Sequence, residues 1–106
     1  MIGSFVASGQ SDVKSEQDNI LLLQQNYPNP TNGITTIKYT LARASEVSLT
    51  ISDVEGKQTK QLVSKFQGAG SYEIPLDASK LANGTYIYLL RAGNSVLTRQ
   101  MIVVKK

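Results

Sequence analysis

The sequence predicts an all-β fold, and three observations carry that prediction. Short runs rich in β-branched and aromatic residues recur every ten residues or so. Most of these runs alternate apolar and polar residues, the two-residue period of a half-buried strand. Turn chemistry separates them: Asn32-Gly33, Asp53-Val54-Glu55-Gly56, Asn83-Gly84 and Gly93-Asn94. No strong helix signal competes. The class is an Ig-like β-sandwich of about seven antiparallel strands in two sheets.

The first run is Ile20-Leu21-Leu22-Leu23-Gln24-Gln25. Tyr27-Pro28-Asn29-Pro30 follows, and each proline pushes its preceding residue into an extended conformation. From Thr35 to Leu41, Ile37, Tyr39 and Leu41 share one face while Thr36, Lys38 and Thr40 share the other. Glu46 to Asp53 repeats the pattern with Val47, Leu49 and Ile51 inward. Asp53 to Gly56 turns the chain into Lys57 to Val63, whose lysines suit a protected edge strand. Gly70 to Leu76 places Tyr72, Ile74 and Leu76 together, and Pro75 assigns this strand to an edge or a bulge. Asp77 to Gly84 reads as a single helical turn capped by Asp77 and ended by Asn83-Gly84.

Thr85 to Ala92 aligns Tyr86, Tyr88 and Leu90, while Ile87 and Leu89 make its other face apolar too, as in a central strand. Gly93-Asn94 is a hairpin turn. The last strand, Ser95 to Lys105, mixes its parity: Val96 and Ile102 fall on one side, Leu97, Met101 and Val103 on the other. A bulge near Arg99-Gln100 is therefore expected.

Residues 1–19 read as a flexible linker, Ser/Gly/Gln-rich and without apolar period, and residues 20–106 as one domain. The linker is acidic. From residue 19 on, ten lysines and arginines stand against five acids. These bases are scattered over several strands rather than blocked together, so nucleic acid is not the expected partner. No apolar run reaches the length of a membrane span. Met1 to Ala7 is too short and lacks the basic start of a signal peptide, so an exported form is expected to carry its leader on a longer precursor.

The chemistry open to this composition is narrow. The chain has no histidine and no cysteine, which removes the commonest general base, zinc ligands and thiol nucleophile. No Gly-x-Ser-x-Gly or phosphate-binding glycine loop occurs. Asp53, Glu55 and Asp77 are the conceivable set for acid–base work or calcium, and each sits in a turn that has its own use for a carboxylate. The expectation is a non-enzyme without cofactor or metal. Tyr39, Tyr72, Tyr86 and Tyr88 take inward positions, as core rings with hydroxyls reaching the rim; a carbohydrate platform is the alternative use.

A set of motifs recurs in order: Asn26-Tyr27-Pro28-Asn29-Pro30, Asp53-x-x-Gly56-Lys57, Gly70-x-Tyr72, Asp77-x-x-x-Leu81-x-x-Gly84-x-Tyr86-x-Tyr88, and a terminal strand with Arg99, Met101, Val103 and Lys105-Lys106. The set resembles the C-terminal sorting domains of the type IX (Por) secretion system, type A, over about residues 21–106. That family commonly has Phe after Pro-Asn-Pro; here Thr31 stands there. The resemblance implies a non-catalytic address for a cargo fused upstream, carried through the periplasm and across the outer membrane to the cell surface or medium. Its implied partners are the translocon, an outer-membrane shuttle protein and a sortase-like peptidase that cleaves before Ile20. It places recognition on Arg99, Met101, Val103, Lys105 and Lys106, and gives Tyr27, Pro28, Asn29, Pro30, Asp53, Gly56, Gly70, Tyr72, Gly84 and Tyr86 to the structural motif. It implies no direct membrane insertion. An edge strand of this kind can also pair with a second copy. Two other readings fit the same fold: an Ig-like accessory or carbohydrate-binding module of a secreted glycan-active enzyme, and a spacer of the flagellar-hook-cap type.

Overall fold

The computed structural model describes residues 19–105. All of the expected linker but Asn19 lies outside them, as does Lys106. Seven strands form: β1 (Ile20–Leu23), β2 (Ile34–Leu41), β3 (Ser45–Asp53), β4 (Gln58–Gln67), β5 (Gly70–Asp77), β6 (Gly84–Ala92) and β7 (Ser95–Val103). They build two antiparallel sheets, β1-β2-β5 and β4-β3-β6-β7. In a constant-type immunoglobulin sandwich the fourth strand belongs to the first sheet; here β4 has moved to the second.

Each placement has a visible cause. β5 takes an edge because Pro75, opposite Thr36, has no N–H to offer a further neighbour. β4 is also an edge, with exposed Lys60 and Lys65 along it. It runs on past Val63 to Gln67, opposite Ser45. Ser64 and Lys65, with Phe66 turned outward, hide this extension, yet Gln67 is buried and accepts the Tyr39 hydroxyl at 2.6 Å. β6 is central, between β3 and β7. Ala78–Lys80 forms one 3₁₀ turn, with the Asp77 carboxylate accepting from the Ser79 N–H.

One expectation is corrected. β7 has no bulge at Arg99-Gln100; its register against β6 is unbroken from Ala92↔Ser95 to Gly84↔Val103. Its mixed pattern reflects apolar residues on the outer face, Val96 and Ile102, rather than a change of parity. Leu97 has the inward parity but remains 41% exposed, on the outer strand of its sheet, while its partner Leu90 in central β6 is buried. Register shifts occur instead in β1 at Ile20/Leu22, and between β3 and β4 at Leu49/Thr50 and Ile51/Ser52.

The inner faces close on Ile37, Tyr39 and Leu41 from the first sheet and Leu49, Ile51, Tyr88, Leu90 and Met101 from the second, all fully buried. Burying one such side chain contributes about 1.5–3 kcal/mol. Tyr39 and Tyr72 stack with ring centroids 5.5 Å apart. Tyr86 ties the corner between β5 and β6: its hydroxyl donates to the Ala82 carbonyl at 2.8 Å, four residues upstream, the arrangement of a tyrosine corner. Tyr72 repeats the device on the Gly68 carbonyl at 2.7 Å.

A candidate recognition edge along the last strand

The segment between β1 and β2 is pinned by a buried polar node. Asn26 is 2% exposed. Its side-chain N–H groups donate to the Pro28 carbonyl and to Thr35 Oγ1, each at 3.0 Å, and its backbone N–H donates to the Tyr88 hydroxyl at 2.8 Å. That hydroxyl donates onward to the Gln24 carbonyl at 2.7 Å. Thr35 Oγ1 donates to the Pro28 carbonyl at 2.8 Å. A small amide is required here, because only an amide offers two donors and an acceptor in so little volume. Both Tyr27-Pro28 and Asn29-Pro30 are cis.

So held, residues 25–31 lie along the outer edge of β7. The Gln25 amide donates to the Gln100 carbonyl. The Ile102 N–H donates to Asn29 Oδ1 at 2.9 Å. Thr31 makes a parallel bridge: its N–H donates to the Ile102 carbonyl at 2.9 Å, and the Val104 N–H donates to the Thr31 carbonyl at 3.0 Å. Thr31 is 3% exposed, and its hydroxyl accepts from the Gly33 N–H at 3.2 Å. The second half of the β7 edge is thus covered from within the chain.

The first half is bordered by β1 and is left without backbone pairing. Hairpin geometry turns the backbone groups of Val96 and Thr98 away from β6, and among the described residues nothing bonds them. β1 runs beside this stretch in the parallel sense. The Asn19 N–H donates to Ser95 Oγ at 2.7 Å at one end, and Arg99 Nε donates to the Leu23 carbonyl at 2.9 Å at the other. Between these anchors Leu21, Leu22, Val96 and Leu97 are all exposed. β4 carries lysines and β5 a proline, the usual guards of an edge; here β1 and β7 border each other instead, tied at the two anchors and without backbone pairing between them.

The residues singled out in sequence therefore divide. Met101 and Val103 are core side chains. Arg99 holds β1 to β7. Lys105 is folded back: its N–H donates to Asn83 Oδ1 at 2.8 Å and its ammonium to the Ser79 carbonyl at 2.9 Å. Lys106 lies outside the described residues. Sequence reasoning passed over Val96, Thr98 and Leu21, since outward apolar residues break the alternation that marks a strand.

The remaining motif residues shape turns. Asp53 Oδ1 accepts from the Glu55 and Lys57 N–H groups at 3.0 and 3.1 Å, and Gly56 adopts φ +87°. Gly70 opens β5 opposite Leu41. Asp77 Oδ1 accepts from the Ser79 hydroxyl and N–H, and these bonds hold its carboxyl below its ordinary pKa. The Asp53 and Asp77 carboxylates are employed by their own turns, while the exposed Glu55 carboxylate lies 4.0 Å from Lys57 Nζ. No helix among the described residues is long and apolar enough to cross a membrane.

No curated protein matches this sequence. The family described as "Secretion system C-terminal sorting domain" matches over residues 25–105. That span opens at Gln25, where the chain starts to cover β7, and closes at Lys105, where β7 is tied down. The chain belongs to this family, the C-terminal sorting domains of type IX secretion.

Proposed function

We propose that this domain is a non-catalytic address, read in its folded state along the edge of β7. Family membership makes it a C-terminal sorting signal, fused to an upstream cargo bound for the cell surface or medium. The translocon or its outer-membrane shuttle reads the first half of β7 through the unpaired backbone groups of Val96 and Thr98, with Leu21, Leu22 and Leu97 supplying apolar contact. Arg99, Met101 and Val103 act by fixing that edge, and the basic pair Lys105-Lys106 that follows in sequence adds charge for recognition. A sortase-like peptidase then cuts upstream of Ile20. The observation behind this reading is a stretch of strand edge whose outward backbone groups, at Val96 and Thr98, have no partner among the described residues.

The test fuses residues 20–106 behind a fluorescent cargo with a standard signal peptide, in a host with type IX secretion. Val96→Lys and Thr98→Pro should leave the melting temperature nearly unchanged and cut export about tenfold, since both act on the edge alone. Export that is indifferent to both variants would remove the edge from the reading. Export that persists with the translocon disabled would remove the address itself. Mass spectrometry of the released cargo should find its new C-terminus before Ile20.

A further inference from the structure

A groove on the opposite sheet has no part in that address. On the outer face of β1-β2-β5, Thr36 and Lys38 of β2 stand opposite Pro75 and Glu73 of β5. Gln24 extends β1 along the same face, its N–H donating to the Lys38 carbonyl at 2.9 Å. Tyr27 faces Thr36 and exchanges both backbone hydrogen bonds with it, at 3.0 and 2.9 Å. Gln24, Gln25, Tyr27, Thr36, Lys38 and Glu73 line a groove of about 610 Å³, within the usual range of ligand sites.

Tyr27 is the residue that needs explaining. The other four of the five tyrosines are built into the sandwich, and each donates its hydroxyl to the chain. Tyr27 is 80% exposed, and among the described residues its hydroxyl has no partner. The segment needs its backbone, through the pairing with Thr36, and makes no use of its ring.

We propose that this groove binds a neutral glycan chain, with the Tyr27 ring as its stacking face. An aromatic ring with a polar tip suits a pyranose, which presents C–H groups on its face and hydroxyls at its rim. The Gln24 amide and the Thr36 hydroxyl supply both donors and acceptors for those rim hydroxyls, and Gln25 adds an acceptor in its amide oxygen. Gln25 is already oriented, its two amide N–H groups donating to Asn26 Oδ1 at 2.7 Å and to the Gln100 carbonyl. The two charges of the lining offset one another, Lys38 Nζ lying 3.8 Å from Glu73 Oε2, so the groove has no net attraction for a polyanion. An added peptide strand finds no purchase on β2, which is paired on both sides.

The test titrates the whole chain with neutral oligosaccharides, the β-1,4-linked oligomers of glucose, xylose and mannose, followed by amide NMR. Saturable shifts with at least one oligomer should centre on residues 24–27, 36–38 and 73. Tyr27→Ala should weaken binding about tenfold or more, and Tyr27→Phe should retain most of it, since the stacking face survives. The ring is outside the core, so both variants should melt as the parent does. Absence of saturable shifts with all three oligomers, shifts centred elsewhere, unchanged affinity in Tyr27→Ala, or equal binding of dextran sulfate would each overturn the proposal. Export of a fused cargo by Tyr27→Ala at the parental level would separate this groove from the β7 edge.

Discussion

Tyr86 joins a buried ring to a hydrogen bond that closes a corner, and the two contributions can be taken apart. Tyr86→Ala should cost about 3–5 kcal/mol, the range for removing a large core ring. Tyr86→Phe should cost about 1 kcal/mol, for the bond to the Ala82 carbonyl alone. Denaturant melts of both variants measure the split, and equal losses would mean that the ring contributes nothing. Gly84, two residues earlier, has φ +149°. No neighbour would touch a Cβ there, so Gly84→Val should destabilise through backbone strain, about 1–3 kcal/mol. Burial also raises the pKa of Tyr39 and Tyr88 above the ordinary tyrosine value. Both hydroxyls stay protonated in the folded chain at a pH where the unfolded chain has begun to ionise. Their contribution is fully present below a pH of about 10 and lost as pH rises through the folded values. The melting temperature should therefore fall in strong alkali, and less steeply in Tyr39→Phe. An alkaline melting series with no such difference would contradict that assignment.

The cover of residues 25–31 over β7 depends on few bonds, and on one buried amide behind them. Asn26→Ala should cost about 1–3 kcal/mol, the penalty for leaving buried partners unpaired. Asn29→Ala should act more locally. Hydrogen exchange at the Ile102 amide should quicken while Tyr88 and Leu90 in central β6 keep their protection, as expected where local and global opening differ. Uniform loss of protection would show instead that the cover and the core open together. At this scale the strands were legible in the sequence wherever one face is wet: Ile37, Tyr39 and Leu41 in β2 and Val47, Leu49 and Ile51 in β3 announce themselves by period two. The pattern misled where the environment of a strand changes along its length. β4 continues past Val63 with no inward apolar residue, because the inward place is taken by Gln67, buried by a hydrogen bond. β7 looks bulged because apolar Val96 and Ile102 sit on its outer face.

For the whole molecule, turn chemistry and alternation were enough to give two sheets, since edge signals (Pro75, the β4 lysines) and a doubly apolar strand (β6) rank the strands from outside to centre. The candidate edge was less legible. The resemblance and the basic end drew attention to β7, but which half of its edge is backbone-paired depends on a contact between residues 25–31 and 100–104 that no local pattern encodes. The same contact bears on force. Asn19 lies beside Ser95 at the start of β7, and Lys105 lies beyond its far end, about 30 Å away along the strand. A pull between those two points slides the segment from Asn19 to Thr31 lengthwise against β7. The bonds at Ser95, Arg99, Gln100, Ile102 and Val104 are then loaded side by side and must give way together, rather than one after another as in a zipper. A domain drawn through a pore by its two ends would meet that load in shear, its strongest direction. Optical-tweezer pulling should record a single high-force rupture from the ends, and a much lower one when the handles are moved to Gly93 and Asn19.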